Sequence, residues 1–240
     1  GLWLLLIPSR KEKPDITEWE KQPILKERFF TKICELSSLK MKIKKKIKKK
    51  KKFKSDDIDI VSIVSSTGGP KILKEIMENI SKNIRLPIVC VQHISKGFVP
   101  GLVSWFNSFS NLPAKIAQNG EKLVGGTIYF APADFHIEVS KNRRILLNKK
   151  PTIFGLRPAG DYLLSSMQNF NGKALGIILT GMGSDGTNGL KKMYIAGGYT
   201  IVQGEDTSIV WGMPKSALDA GCVDEVLNTK EIIERLNKLV

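Results

Sequence analysis

The chain has 240 residues, 42% of them hydrophobic, with 38 Lys and Arg against 23 Asp and Glu for a net charge of +15. That length holds one large domain or two small ones and buries a sizeable core. Three widely spaced cysteines (Cys34, Cys90, Cys222) suit reduced thiols rather than a disulfide framework, and without a CxxC or Cys/His cluster no structural zinc is expected.

The chain begins Gly1-Leu-Trp-Leu-Leu-Leu-Ile-Pro. Seven apolar residues are too few to span a bilayer, and they lack the basic start and cleavage site of a signal peptide. A first residue of Gly rather than Met reads as a fragment of a longer chain. Residues 16–39 mix apolar and charged residues at loose helical spacing. Residues 40–57 read as a linker. Lys40 to Lys54 holds 11 lysines and no acid, and removing them takes the net charge from +15 to +4. Like charges at this density repel and build no core, so the tract is a solvated linker. A patch for nucleic acid or anionic lipid is the competing reading, but Phe53 alone offers a stacking group, so no nucleic-acid partner is expected.

From residue 58 strands and helices alternate. The run 58–64 is apolar and β-branched, hence a buried strand. It ends at Ser65-Ser66-Thr67-Gly68-Gly69, and Pro70 opens a helix over 70–80. A strand is expected at 86–92 and a helix at 100–109. Short strands follow at 115–117 and 127–130, then a hairpin of 136–139 with 144–147. Residues 161–170 read as helix and 174–179 as a continuous apolar strand. The loop 180–189 precedes a helix over 190–196. A strand at 198–202, a helix at 214–220, a strand at 223–226 and an amphipathic helix at 230–239 complete the chain. Apolar runs separated by helices argue an α/β fold: a doubly wound, mainly parallel sheet with helices on both faces and a β-hairpin insertion.

In such a sheet, ligands meet the carboxyl ends of the strands. Three ends offer complementary groups: Ser66 after the first strand, His93 after the second, and Asp185 after 174–179. A hydroxyl, an imidazole and a carboxylate make the inventory of a serine hydrolase in the order Ser, His, Asp. A small-residue turn into a helix also aims backbone N–H groups at the serine. The amide of Met182 suits an oxyanion hole. His136, the second of two histidines, belongs to the predicted hairpin, away from that edge, as a hairpin or substrate-cleft residue. A rival reading stays open: Gly181-Met-Gly-Ser-Asp-Gly186 fits G-x-G-x-x-G, and Glu205 and Asp206 follow about 20 residues later, as in a dinucleotide site. Against it, Asp185 would face a pyrophosphate.

Several motifs together carry a resemblance. Val64-Ser65-Ser66-Thr67-Gly68-Gly69-Pro70, Val91-Gln92-His93 with Gly97-Phe98, Tyr129-Phe130-Ala131-Pro132, Leu156-Arg157-Pro158 and Leu179-Thr180-Gly181-Met182-Gly183-Ser184-Asp185-Gly186 resemble the chemotaxis protein-glutamate methylesterases, the CheB family. Ala196-Gly197-Gly198, Gln203 and Gly212-Met213-Pro214 continue the match, which covers roughly 58–238. The resemblance implies a cytoplasmic serine esterase that needs no metal or organic cofactor. Ser66 would be the nucleophile, His93 the base and Asp185 the orienting acid, with Thr67 and Met182 lining the oxyanion site. It implies glutamine deamidation as a second activity. Its expected partners are the cytoplasmic helices of methylated chemoreceptors, met by a monomer peripheral to the membrane. Val64 and Ser65 stand where the family usually has Gly-Ala; by register Ser65 points to the other face. The expected organisation is a receiver remnant and linker helix at 1–39, the lysine-rich linker at 40–57 and the catalytic domain at 58–240. The acidic cluster of a phosphoacceptor receiver is not in this chain.

Overall fold

The computed structural model describes residues 51–240. The helix expected over 16–39 and most of the lysine tract lie outside the described residues. Seven parallel strands form one sheet in the order β3-β4-β2-β1-β7-β8-β9. They are β1 (Ile60–Ser65), β2 (Ile88–Gln92), β3 (Ala114–Ile116), β4 (Ile128–Phe130), β7 (Ala174–Ile178), β8 (Tyr199–Gln203) and β9 (Glu225–Leu227). β5 (His136–Val139) and β6 (Ile145–Asn148) form a separate antiparallel hairpin, with Val139 opposite Ile145. The helices are α1 (Gly69–Asn79), α2 (Val99–Asn107), α3 (Gly160–Ser166), α4 (Thr187–Ile195), α5 (Gly212–Asp219) and α6 (Thr229–Asn237). No helix among the described residues is long and apolar enough to cross a membrane.

β1 is buried along its length because both of its faces are covered. Val61 and Ile63 join Ile72, Leu73 and Ile76 of α1, Phe106 of α2 and Ile232 and Leu236 of α6 in one buried cluster. The opposite face carries Val64 and Gly176. A Cβ on Gly176 would meet Met193 and Leu190 of α4 within 3.0 Å, so this glycine lets α4 lie close on the sheet. The expected α/β architecture is therefore present. The short strands β3 and β4 extend the parallel sheet beyond β2 rather than forming an irregular annex. Their brevity hid this, since three residues show no period.

β1 lies between β2, formed after it, and β7, formed on its other side after the hairpin and α3. The chain thus builds one half of the sheet on the β2 side of β1 and then crosses to build the other half on the β7 side, and the carboxyl end of β1 is a topological switch point. Register places the neighbouring ends there. Ser65 pairs with Gln92 and Val64 with Ile178. The His93 amide donates to Ser65 O at 2.9 Å and the Ser66 amide to Thr180 O at 3.0 Å.

Candidate active site

Gly68, in the left-handed region at φ 81°, turns the chain out of β1. Pro70 lies in the first turn of α1. Side-chain alternation turns Ser65 and Ser66 to opposite faces. Ser65 is fully buried and its hydroxyl donates to Gln92 Oε1 at 2.7 Å. Ser66 is half-exposed, with its Cβ against Gly181, where an added Cβ would come within 2.7 Å. Among the described residues its hydroxyl has no hydrogen-bond partner.

His93 and Asp185 are joined directly: Nε2 and Oδ2 lie 2.8 Å apart. Both side chains are shielded from solvent, at 7% and 2% exposure. Asp185 Oδ2 also accepts from the Gly160 amide at 2.5 Å, and Oδ1 accepts from the Asp161 amide at 3.1 Å. The groups hydrogen-bonded to this carboxylate are two backbone amides and the His93 ring, and a carboxylate oxygen accepts from the ring at Nε2. The other ring nitrogen, Nδ1, has no hydrogen-bond partner among the described residues. The first turn of α3 is therefore a socket for the carboxylate, in which two amides fix both oxygens.

The socket depends on close approach. A Cβ on Gly160 would fall 2.4 Å from Val64 Cγ1. The bulk of Val64 is thus accommodated by the missing side chain of Gly160. Asp161 returns the arrangement: its Oδ1 accepts from the Gly189 amide at 2.7 Å, in the first turn of α4. Burial pushes the Asp161 carboxyl above the usual carboxylate range. Hydrogen bonding to Gly189 opposes this, and the neighbouring Asp185 adds to the upward push.

Two residues quoted in the sequence motifs without a role prove structural to the site. Gln92 Nε2 donates to Ser66 O at 3.0 Å and to His93 O at 2.8 Å, stapling the serine turn to the histidine. The Thr180 hydroxyl donates to Thr67 O at 2.9 Å and accepts from the Val210 amide at 2.9 Å, tying three loops. A buried glutamine at a strand end was the one available signal for Gln92. Thr67 and Met182 are exposed, Met182 at 72%, and neither amide donates a hydrogen bond among the described residues. The glycine loop 181–186 does not open toward a pyrophosphate. Its carboxylate turns inward to the socket, and Glu205 and Asp206 form a short 3-10 turn after β8.

His136 differs from its expected place. Although it starts the hairpin, it is fully buried and its Nδ1 accepts from the Ala159 amide at 3.1 Å, one residue before the Asp185 socket.

The model of the CheB methylesterase family matches residues 61–236. The chain is 43% identical over 183 residues to a Rhizobium meliloti protein-glutamate methylesterase/protein-glutamine glutaminase of group 3 operon, covering 76% of this chain and 52% of that protein. It is 42% identical over 185 residues to a Thermotoga maritima protein-glutamate methylesterase/protein-glutamine glutaminase, covering 75% of this chain and 54% of that one. The crystal structure of the Thermotoga maritima CheB methylesterase catalytic domain superposes with a TM-score of 0.73 at 41% identity, over 76% of this chain and 99% of that domain. The chain spans about half the length of the curated relatives it matches. On the family match and the shared fold, the chain belongs to the CheB methylesterase family.

Proposed function

We propose that residues 58–240 are a serine esterase domain that hydrolyses the methyl esters of glutamate side chains on chemoreceptor helices. The observation that carries this reading is the buried His93–Asp185 pair, held by two α3 amides at the strand ends flanking Ser66. Ser66 Oγ attacks the ester carbonyl while His93 Nδ1 takes the hydroxyl proton. Asp185 holds the ring through Nε2–H and stabilises the imidazolium formed. The Thr67 and Met182 amides stabilise the oxyanion, at about 3 kcal/mol for each donor. The proton on Nδ1 then passes to the departing methoxide, and methanol leaves an acyl-enzyme. Water attacks that ester with the same imidazole as base, releasing glutamate and restoring Ser66.

The Rhizobium and Thermotoga relatives are named for a glutaminase as well as an esterase. The same acyl-enzyme route deamidates glutamine when ammonia replaces methanol as leaving group, and we carry that activity over as part of the proposal. The substrate is then a receptor helix reached from the cytoplasm by a monomeric domain. The test is methanol release from a methylated receptor fragment. Ser66→Ala is expected to abolish it with the melting temperature unchanged, and undiminished release in that variant overturns the reading.

A further inference from the structure

His136 is the one histidine that the proposed reaction leaves unused, since the chain has two. It is 0% exposed. Its ring lies 4.1 Å from the Tyr162 ring, and its nitrogens are both engaged. Nε2 lies 3.1 Å from Pro151 O, a pure acceptor, so Nε2 carries the proton. Nδ1 is then unprotonated and accepts from the Ala159 amide at 3.1 Å. The next two amides, Gly160 and Asp161, are those that bind Asp185. Three consecutive N–H groups at the start of α3 are thus divided between one neutral imidazole and one carboxylate.

We infer that His136 is a positioning residue: its unprotonated Nδ1 anchors the turn whose amides aim Asp185 at His93. This rests on the proposed esterase reading of the site. Protonation of His136 would replace the acceptor with a second donor facing the Ala159 N–H, and the turn would lose its anchor. The groups that face the ring are Arg157 before α3, Asp185 after β7, Tyr162 of α3, and Lys150 after β6 through its backbone. Burial is the main force holding the ring neutral; Arg157 adds to it, while Pro151 O and Asp185 oppose it.

Three substitutions separate the two nitrogens. His136→Asn puts an oxygen where Nδ1 stands and keeps an acceptor for Ala159. His136→Gln keeps a donor near Pro151 O but loses that acceptor. His136→Ala loses both. Misaiming a catalytic group costs on the order of 10- to 100-fold in rate, so kcat for methanol release falls by that factor in the Gln and Ala variants. KM is little changed, and the Asn variant recovers most of the loss. The acid limb of the wild-type pH profile falls with two protons, and that of the Asn variant with one. With only two histidines, 15N-imidazole spectra of the folded wild type resolve each ring. His136 Nδ1 is expected to be an unprotonated acceptor at pH 7.5, and the His93 Nε2–H resonance is expected to shift in the Ala variant and not in the Asn variant. A protonated His136 Nδ1 at pH 7.5 overturns the inference without any variant. Equal kcat for Asn, Gln and Ala, with wild-type methanol release intact, also overturns it while leaving the esterase reading standing. Absence of Ser66-dependent release in the wild type removes the esterase reading itself, and with it the role assigned here.

Discussion

The two edges of the parallel sheet solve opposite problems with similar residues. At the carboxyl edge, Asp185 receives three donors and leaves neither oxygen idle. At the amino edge, Asp224 accepts from the Thr200 amide and hydroxyl through Oδ2, while its Oδ1 is buried without a hydrogen-bond partner among the described residues. Beside it Arg235 Nη2 donates to Glu225 Oε1 at 2.7 Å, while Glu225 Oε2 and Arg235 Nε are buried without a hydrogen-bond partner among the described residues. Lys51 reaches the same edge, donating to Gly198 O at 2.8 Å and Tyr194 O at 3.2 Å, where carbonyls at the end of α4 attract a cation. Phe53 meets the edge of Tyr199 at 5.1 Å and lies 4.7 Å beneath the Arg235 guanidinium. Complete pairing fixes a carboxylate to one geometry, as a reaction needs. Incomplete pairing suffices where charge and aromatic contact only fasten the chain. A satisfied buried carboxylate therefore stands at the edge where the proposed reaction is placed.

The comparison breaks first at Asp185. Asp185→Asn is expected to lower kcat for methanol release by about 10⁴-fold, because the amide favours the wrong ring tautomer of His93. A loss under tenfold would make the two edges equivalent. Gly160→Ala is next. Its new methyl collides with Val64, and overpacking of this kind costs about 1–3 kcal/mol in denaturant unfolding. Activity falls with it, and Val64→Ala in the same chain restores both. Phe53→Ala tests the other edge. Loss of a half-buried ring is expected to cost roughly 1–2 kcal/mol, read as a lower melting temperature, with methanol release unaltered.

The smallest effect is a pH slope. Burial holds His136 below its ordinary value of 6.5 in the native state. In the window between that lowered value and 6.5 the unfolded chain binds a proton that the native chain does not. The resulting stability is complete above 6.5 and is lost as pH falls, at up to about 1.4 kcal/mol per pH unit. Denaturant unfolding between pH 7.5 and 5 is expected to show this slope in the wild type and to lack it in His136→Asn.

Much of the carboxyl edge was legible before any coordinates. Apolar runs such as 174–179 announce strands covered on both faces, and glycine, serine and proline punctuation marks where each run turns into a helix. Those boundaries put Ser66, His93 and Asp185 at neighbouring strand ends, and His93 and Asp185 do meet. The socket for Asp185 was not legible. It is made of backbone amides at Gly160 and Asp161, and an amide has no side-chain signature. His136 was misplaced for a related reason. Its position in a hairpin is local, but its ring faces a loop 23 residues away. Three-residue strands such as β3 carry too little pattern to announce their place in the sheet, and β9 owes its place to pairing with β8.

Asp185 and Asp161 act as the two halves of a buckle. Each carboxylate leaves its own segment and closes the start of the other's helix, Asp185 on α3 and Asp161 on α4. Neither segment can loosen without baring a charge in the other, so they open as one cooperative unit. The amides of Gly160, Asp161 and Gly189 should then exchange with solvent at a common rate, and gentle heating should take catalysis away in step with that exchange, before the sheet itself melts.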